Sequence, residues 1–141
     1  MSTATSPAKK RVETFIAEDS PVILENLIAT LEELSPIQVV GSASDESTAL
    51  RWLLDDSHPC SLVIIDIYLR SGSGLEVLRC AARAGVPAKR VVLTNYATHD
   101  MREKCAELGA DRLFDKSNEL DDLIAYCSRL GTDEAGSSAR R

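Results

Sequence analysis

Five short apolar runs, rich in β-branched residues, alternate with amphipathic stretches along this chain. This alternation limits the possible folds more strongly than any other feature of the sequence. The runs cover residues 12–17, 37–43, 61–66, 89–94 and 111–115. In the stretches that follow them, apolar residues recur at spacings of three and four, which is typical of helices that bury one face. Strands joined by helices in this way form a parallel sheet with helices on both of its faces. The sequence therefore predicts one α/β domain.

Turn and capping residues predict the limits of the five helices and, with them, the topology. The predicted signals are Ser20-Pro21 at the first helix, Ser44 or Asp45 at the second, a start near Gly74 at the third, Gly85 and Gly109 after the third and fourth, and Ser117 or Asn118 at the fifth. Five strand–helix units of this kind are expected in the strand order 2-1-3-4-5. We therefore expect a flavodoxin-like, doubly wound, five-stranded parallel sheet with five helices.

The third apolar run ends in a carboxylate, Asp66, and is followed by the glycines of Ser71-Gly-Ser-Gly74. A strand buried on both faces gains nothing in packing from a charged residue, because an unpaired buried charge is costly. At the carboxyl end of a parallel strand, however, a polar side chain lies where open α/β sheets bind their ligands. From this run alone, Asp66 could serve a ligand or could only cap the following loop.

Composition and charge narrow the classes of partner. The chain has 141 residues with 22 acidic and 16 basic side chains, which gives a formal net charge of −6. Nucleic-acid-binding surfaces are usually basic, so direct binding to nucleic acid is not expected. No apolar run approaches the roughly 20 residues that cross a bilayer, and the N-terminus has no apolar signal-peptide core. We expect a cytoplasmic protein that does not contact the membrane.

The ends of the chain differ in character from its middle. Residues 1–10 are mostly small or polar with little to bury, and residues 131–141 are again small and charged. Segments of this composition cannot offset the entropy of ordering by apolar burial. The predicted organisation is a flexible leader at 1–10, one domain at 11–130 and a flexible tail at 131–141.

The predicted strand ends bring together a set of reactive side chains, namely Glu18, Asp19, Asp66, Thr94 and Lys116. Three neighbouring carboxylates repel one another unless a cation lies between them, and hard oxygen ligands suit Mg²⁺. A hydroxyl and an ammonium group facing the same crevice could contact the oxygens of a transferred phosphoryl group. The set therefore favours an aspartyl phosphate formed on Asp66.

From about Arg11 to Leu130 the chain resembles the receiver domain of two-component response regulators, and in particular their stand-alone, chemotaxis-receiver-like type. The matching pieces are Ala17-Glu-Asp-Ser20, Ile64-Ile-Asp66, Gly74, Leu93-Thr94, Gly109-Ala-Asp111 and Asp115-Lys116. The resemblance implies that Asp66 accepts a phosphoryl group from a kinase phosphohistidine. It also implies a Mg²⁺ ion held by Glu18, Asp19, Asp66 and the Tyr68 backbone carbonyl, with Thr94 and Lys116 on the phosphoryl group.

Two departures from the family pattern lie in loops. The family often has proline where this chain has Arg70, and it usually has a Lys-Pro step, often cis, where this chain has Lys116-Ser117. A cis bond without proline costs about 3–4 kcal/mol. The resemblance therefore leaves two alternatives, a differently shaped loop or strain held at the site.

Two further departures concern aromatic residues. The family's switch aromatic falls at Leu113, and Phe114 lies one position later, which would turn its ring to the opposite face of the sheet. In the family the position after Thr94 is usually small, but here it is Asn95, followed by Tyr96. Tyr68 likewise lies two residues after Asp66. We hypothesise that these tyrosines flank the crevice and shield an aspartyl phosphate from water. The alternative is that they serve a partner surface or only cover apolar edges.

The leading functional prediction is a phosphorylation-dependent switch that acts by binding other proteins, with a phosphorelay intermediate equally compatible. The expected partners are a histidine kinase or histidine phosphotransfer protein and a downstream protein target. Receivers often pair through their fourth and fifth units, and the sequence leaves open whether a second copy of this chain does so. We expect no enzymatic activity beyond its own phosphorylation and dephosphorylation.

The alternative is a pseudo-receiver, a protein-interaction module that works without phosphorylation. An aspartyl-phosphate phosphatase would need an acid where Tyr68 stands, and a flavin carrier would need a phosphate loop in place of Glu18-Asp-Ser-Pro21.

Overall fold

The computed structural model describes residues 11–140, with side chains described as far as Gly131. The strands are β1 (Val12–Ala17), β2 (Ile37–Ala43), β3 (Leu62–Ile65), β4 (Lys89–Thr94) and β5 (Arg112–Asp115). The helices are α1 (Pro21–Leu34), α2 (Glu46–Leu53), α3 (Gly74–Arg83), α4 (His99–Glu107) and α5 (Leu120–Arg140). Strand and helix alternate throughout, as the sequence predicts, and the predicted leader at 1–10 lies outside the described residues.

The five strands form one parallel sheet in the order β2-β1-β3-β4-β5, which confirms the predicted topology. Ala17 pairs with Ile65, and Ile65 in turn pairs with Val92. At the far side, Thr94 pairs with Asp115. Because neighbouring strands end nearly level, the residues that follow them emerge along one edge of the sheet. This carboxyl edge is where the predicted site residues lie.

The central strand β3 is buried along its whole length because the helices cover both faces of the sheet. Leu62 and Ile64 pack on one face, in a core layer with residues of α1 and α5. Val63 and Ile65 pack on the opposite face, in a layer with residues of α2, α3 and α4. A continuous apolar run is the pattern expected of a strand that contributes to two core layers.

Capping residues explain most of the helix starts. The Ser20 side chain accepts the N–H of Ile23, and Pro21 occupies the first turn of α1. Asp45, one of two predicted caps for α2, accepts the N–H of Thr48 at 2.7 Å. The third helix begins at Gly74, as predicted, and the hydroxyl of Ser73 caps it by accepting the N–H of Leu75.

The prediction that Ser117 or Asn118 caps α5 is wrong. Both residues lie in a turn in which their N–H groups donate to Oδ1 of Asp115, at 2.8 and 3.2 Å. This local turn takes up the residues that could have capped the helix, and α5 begins only at Leu120. The helix also continues beyond Leu130 to Arg140, and the flexible tail stays a prediction.

Among the described residues, no helix combines the length and the apolar character needed to cross a bilayer.

Candidate functional site

Backbone hydrogen bonds that extend the sheet beyond its named strands hold three of the predicted site residues in place, namely Glu18, Asp66 and Lys116. The N–H of Glu18 donates to the Ala43 carbonyl, and the N–H of Asp66 donates to the Ala17 carbonyl, each at 2.9 Å. On the other side, the N–H of Lys116 donates to the Thr94 carbonyl at 2.8 Å. These bonds continue the ladders across the strand ends. The positions of the site residues are therefore set by the sheet itself.

Lys116 joins two of the predicted carboxylates. Its Nζ lies 2.8 Å from Oε1 of Glu18 and 2.9 Å from Oδ2 of Asp66. The three side chains are 13%, 2% and 10% exposed respectively. Glu18 is further fixed because its Oε2 accepts the N–H of Ser20 at 3.0 Å. The structure thus brings together residues that lie 98 and 50 positions apart in sequence (116 − 18 and 116 − 66).

Asp19 completes an acidic cluster with Glu18 and Asp66. One carboxylate oxygen from each of the three residues lies within 4.8 Å of the others. If all three carboxylates are ionised, the Lys116 ammonium offsets only one of three negative charges. A cluster of oxygen donors with surplus negative charge fits a hard divalent cation, and Mg²⁺ commonly uses one or two carboxylates together with waters. Because Asp19 is exposed while Glu18 is buried, such an ion would be reached from the solvent side.

The acid–base properties of the cluster follow from burial and charge. Burial raises the pKa of Glu18 above its ordinary value, and the neighbouring Asp66 charge acts in the same direction. Hydrogen bonds from Lys116 and Ser20 offset this rise only in part. Burial lowers the pKa of Lys116, but its hydrogen bonds to Glu18 and Asp66, together with the negative charges of these two carboxylates, outweigh that effect and hold the pKa above its ordinary value. Lys116 is therefore a cation at neutral pH.

Thr94, the last residue of β4, is fully buried. Its Oγ1 accepts the N–H of Tyr96 at 3.0 Å, while its carbonyl binds the Lys116 amide. Thr94 is thus connected through its hydroxyl to the β4–α4 loop and through its backbone to the residue after β5. A group that engaged the Thr94 hydroxyl would compete with, or reorient, its contact to Tyr96.

Tyr68 and Tyr96 bring the loops after β3 and β4 into contact. Their rings form an edge-to-face pair with centroids 4.9 Å apart and 65° between the planes. Both side chains are more than half exposed, at 54% and 57%. The Tyr68 N–H also donates to Oδ1 of Asp66 at 3.3 Å. The pair therefore joins the loops that follow Asp66 and Thr94, and the flanking of a crevice at Asp66 stays a prediction.

Residues 67–73 connect β3 to α3 and are here called the acceptor loop, because they follow the predicted acceptor Asp66. Tyr68 and Ser73 form an isolated antiparallel bridge, and the N–H of Gly74 donates to the Ile67 carbonyl at 2.8 Å. A Cβ on Gly74 would lie 2.0 Å from the carbonyl oxygen of Asp66. Only glycine allows α3 to start this close to Asp66, which explains the Gly74 noted in the sequence.

One residue that binds this loop, Glu46, was not predicted from the sequence. Glu46, at the start of α2, accepts the N–H of Ser73 on its Oε1 at 2.9 Å. In the sequence, an acid in the first turn of a helix is explained by the helix dipole alone. Because the contact crosses between segments 27 positions apart, no local pattern could have indicated it.

The departures near β5 have clear structural outcomes. Phe114 is 1% exposed and packs in the layer with α1 and α5, whereas Leu113 packs in the opposite layer. The prediction that the aromatic ring turns to the other face is confirmed. No cis peptide bond occurs within residues 11–140, so Lys116-Ser117 is trans. The hydroxyl of Ser117 instead donates to the Asn95 side chain at 3.2 Å.

Comparison with known proteins identifies the family of this chain. The family described as "Response regulator receiver domain" matches residues 14–128. The transcriptional regulatory protein YvfU of Bacillus subtilis is 31% identical over 113 residues, which cover 79% of this chain and 55% of that protein. The alkaline phosphatase synthesis transcriptional regulatory protein SphR of Synechococcus elongatus is 29% identical, covering 90% of this chain and 50% of that protein. The chain thus spans about half the length of these curated relatives.

A solved structure shares the fold at lower identity. A response regulator from Burkholderia pseudomallei, crystallised with a phosphorylated aspartic acid, calcium ion and citrate, is 20% identical with a TM-score of 0.71. The match covers 91% of this chain and 73% of that one. The strand order, the residues at the carboxyl edge and the match across 14–128 lead to one conclusion. The chain belongs to the response regulator receiver domain family.

Proposed function

We propose that Asp66 is the phosphoacceptor of this receiver and that a histidine kinase or histidine phosphotransfer protein is the donor. The observation that carries the proposal is the Lys116 ammonium, held between Glu18 and Asp66 beside Asp19. This arrangement combines a carboxylate that can act as the nucleophile, a fixed cation and an acidic cluster whose surplus negative charge suits a second, divalent cation. A structural ion pair alone would not need the third carboxylate.

In the proposed reaction, a carboxylate oxygen of Asp66 attacks the phosphorus of a phosphohistidine. A phosphorus–oxygen bond forms, the phosphorus–nitrogen bond of the donor breaks, and its electron pair remains on the departing imidazole. Lys116 would move from the Asp66 oxygen toward the phosphoryl oxygens, and the Thr94 hydroxyl would donate to them. Mg²⁺, held by Glu18, Asp19, Asp66 and the Tyr68 carbonyl, would supply neutralisation of the phosphoryl charge.

The output of the switch is also a proposal. Because the Thr94 carbonyl binds the Lys116 amide, a phosphoryl group that draws on both side chains would act on the fourth and fifth units together. These units would then carry the change to a downstream protein or to a second copy of the chain. The two relatives above are named as transcriptional regulators. Stand-alone action and the absence of direct nucleic-acid contact therefore stay predictions for this chain. Its cytoplasmic location also stays a prediction.

The tyrosine pair supports a finer proposal about phosphoryl lifetime. Hydrolysis of an aspartyl phosphate requires a water molecule to reach the phosphorus in line with the Asp66 oxygen. The rings of Tyr68 and Tyr96 join the two loops that follow Asp66 and Thr94, and the Tyr68 amide donates to the Asp66 carboxylate. We infer that the pair slows hydrolysis by restricting the approach of water.

The alternative, a pseudo-receiver that works without phosphorylation, is less favoured because none of the five predicted site residues is replaced. Incubation with Mg²⁺ and acetyl phosphate, followed by intact-protein mass spectrometry, tests the two. We expect one phosphoryl adduct on the wild type and none on Asp66→Asn. An adduct of equal extent on both proteins would refute the assignment of Asp66, and no adduct on either would support the pseudo-receiver.

A further inference from the structure

The start of α2 is fastened to the acceptor loop by three hydrogen bonds. The Arg70 N–H donates to the Ser44 carbonyl at 2.9 Å, and the Glu46 N–H donates to the Ser71 carbonyl at 3.0 Å. The third bond uses a side chain, since Oε1 of Glu46 accepts the Ser73 N–H at 2.9 Å. Two segments on different strand–helix units are thereby held in one fixed arrangement.

Steric fit makes the Glu46 contact specific. Gly72 has a φ of +79°, a conformation that favours glycine. A Cβ on Gly72 would lie 2.3 Å from Oε1 and 2.5 Å from Cβ of Glu46. The Glu46 side chain therefore lies directly against the Gly72 backbone, and the turn in the acceptor loop leaves the space that it fills.

The role of Glu46 differs from that of an ordinary acid at a helix start. Asp45 already caps α2 by accepting the Thr48 amide, so α2 does not depend on Glu46 for its cap. The Glu46 side chain is half-buried and gives its oxygen to another segment. Its effect is thus on the acceptor loop.

The bond from Glu46 reaches the site through a short path. Ser73, whose amide Glu46 holds, is the bridge partner of Tyr68. Tyr68 in turn follows Asp66 by two residues and donates its N–H to the Asp66 carboxylate. Fixing Ser73 therefore restricts the backbone at Tyr68, whose carbonyl is the proposed metal ligand.

We propose that Glu46 is a positioning residue for the acceptor site, holding the acceptor loop so that the Tyr68 carbonyl faces the acidic cluster. The proposal rests on the proposed binding of Mg²⁺ at that cluster. It assigns to α2 a function in metal binding, although no α2 side chain belongs to the cluster itself. Residues that orient metal ligands typically change metal affinity by roughly 10- to 100-fold when replaced.

The test uses two variants of Glu46 and a matched control. Glu46→Ala removes the acceptor of the Ser73 amide, whereas Glu46→Gln keeps a carbonyl oxygen at the same place. Glu32→Ala is the control, because Oε2 of Glu32 accepts the Val39 N–H at 2.9 Å in a similar contact between α1 and β2. Two quantities are measured on the unphosphorylated proteins, the hydrogen-exchange rate of the Ser73 amide and the Mg²⁺ dissociation constant.

For Glu46→Ala we expect several-fold faster exchange at Ser73 and Mg²⁺ binding weakened by roughly tenfold. We expect Glu46→Gln to be close to wild type in both quantities, and Glu32→Ala to leave both unchanged. Unchanged Mg²⁺ affinity in Glu46→Ala would overturn the proposal, as would an equal loss in Glu32→Ala or a failure of Gln to restore affinity. Wild-type protein that binds no Mg²⁺ would also overturn it.

The phosphoacceptor assignment is tested separately by the Asp66→Asn comparison. A wild type that binds Mg²⁺ but takes no phosphoryl group would contradict that assignment and leave the role of Glu46 in place.

Discussion

The ring of Tyr96 meets the ring of Tyr68 edge to face, and the amide of the same Tyr96 donates to the hydroxyl of Thr94. One residue thus contacts both the loop that follows Asp66 and the hydroxyl proposed to bind the phosphoryl group. A change at Thr94 can therefore reach the tyrosine pair through a single backbone bond.

Replacing both tyrosines with serine should shorten the life of the phosphorylated state several-fold, since water would gain access to Asp66. An edge-to-face pair is worth about 0.5–1.5 kcal/mol beyond its buried area. We therefore expect each single variant to loosen the partner ring, so that the two single effects on the hydrolysis rate are not additive. The measurement is loss of label from the isolated phosphoprotein.

Leu54→Ser serves as a control for this experiment, because Leu54 is a large exposed side chain that follows α2. It should leave the hydrolysis rate unchanged. An unaltered half-life in the double tyrosine variant would refute the shielding role.

Replacing Lys116 with methionine should have opposite effects on stability and on metal binding. The substitution leaves the buried Glu18 and the adjacent Asp66 without their cation, and breaking a buried pair costs roughly 3–5 kcal/mol of unfolding free energy. The substitution also removes the positive charge that competes with Mg²⁺ for the carboxylates. The affinity of the variant for Mg²⁺ should therefore rise roughly tenfold or more. Urea unfolding without metal and a Mg²⁺ titration check the two effects.

Lys116→Arg is the informative companion, since it keeps the charge. It should retain most of the stability and show no gain in Mg²⁺ affinity. If the methionine variant bound Mg²⁺ more weakly than wild type, Lys116 would be an organiser of the metal site and not a competitor.

The raised pKa of Glu18 predicts a pH-dependent stability. Its ordinary value is 4.5, and in the folded protein the pKa lies above it. The folded state therefore binds this proton more tightly than the unfolded state, so the contribution of Glu18 to stability is present below pH 4.5 and is lost as pH rises through the folded pKa. In unfolding free energies measured without Mg²⁺ from pH 4 upward, the contribution of Glu18 should decrease as the pH rises.

Glu18→Gln should remove that component, because glutamine does not ionise and keeps an oxygen for Lys116. The stability of the variant relative to wild type should rise with pH without Mg²⁺, and saturating Mg²⁺ should reduce the difference. Parallel pH profiles for the two proteins would contradict the prediction.

The fold and the acidic cluster could be predicted from sequence because both depend on strand order. Once the five runs are placed in a parallel sheet, Glu18, Asp66 and Lys116 must emerge at the same edge. The face of Phe114 was equally accessible, since side chains alternate along a strand.

Other features depend on loop conformation, which no periodic pattern encodes. The start of α5 was missed because Asp115 forms a turn with the residues that could have capped the helix. The Glu46 contact depends on the positive φ of Gly72. The placement of Tyr68 and Tyr96 on the loops after β3 and β4 could be predicted, but the contact between their rings depends on the shapes of both loops.

The ladder bonds that carry Glu18, Asp66 and Lys116 have an evolutionary consequence. Each of these residues is anchored to the last carbonyl of a neighbouring strand. Connections at the opposite edge of the sheet can therefore lengthen, shorten or diverge without displacing these three residues. Such an architecture lets inherited changes in length accumulate at one edge of the sheet, while the arrangement of the three side chains at the other edge stays the same.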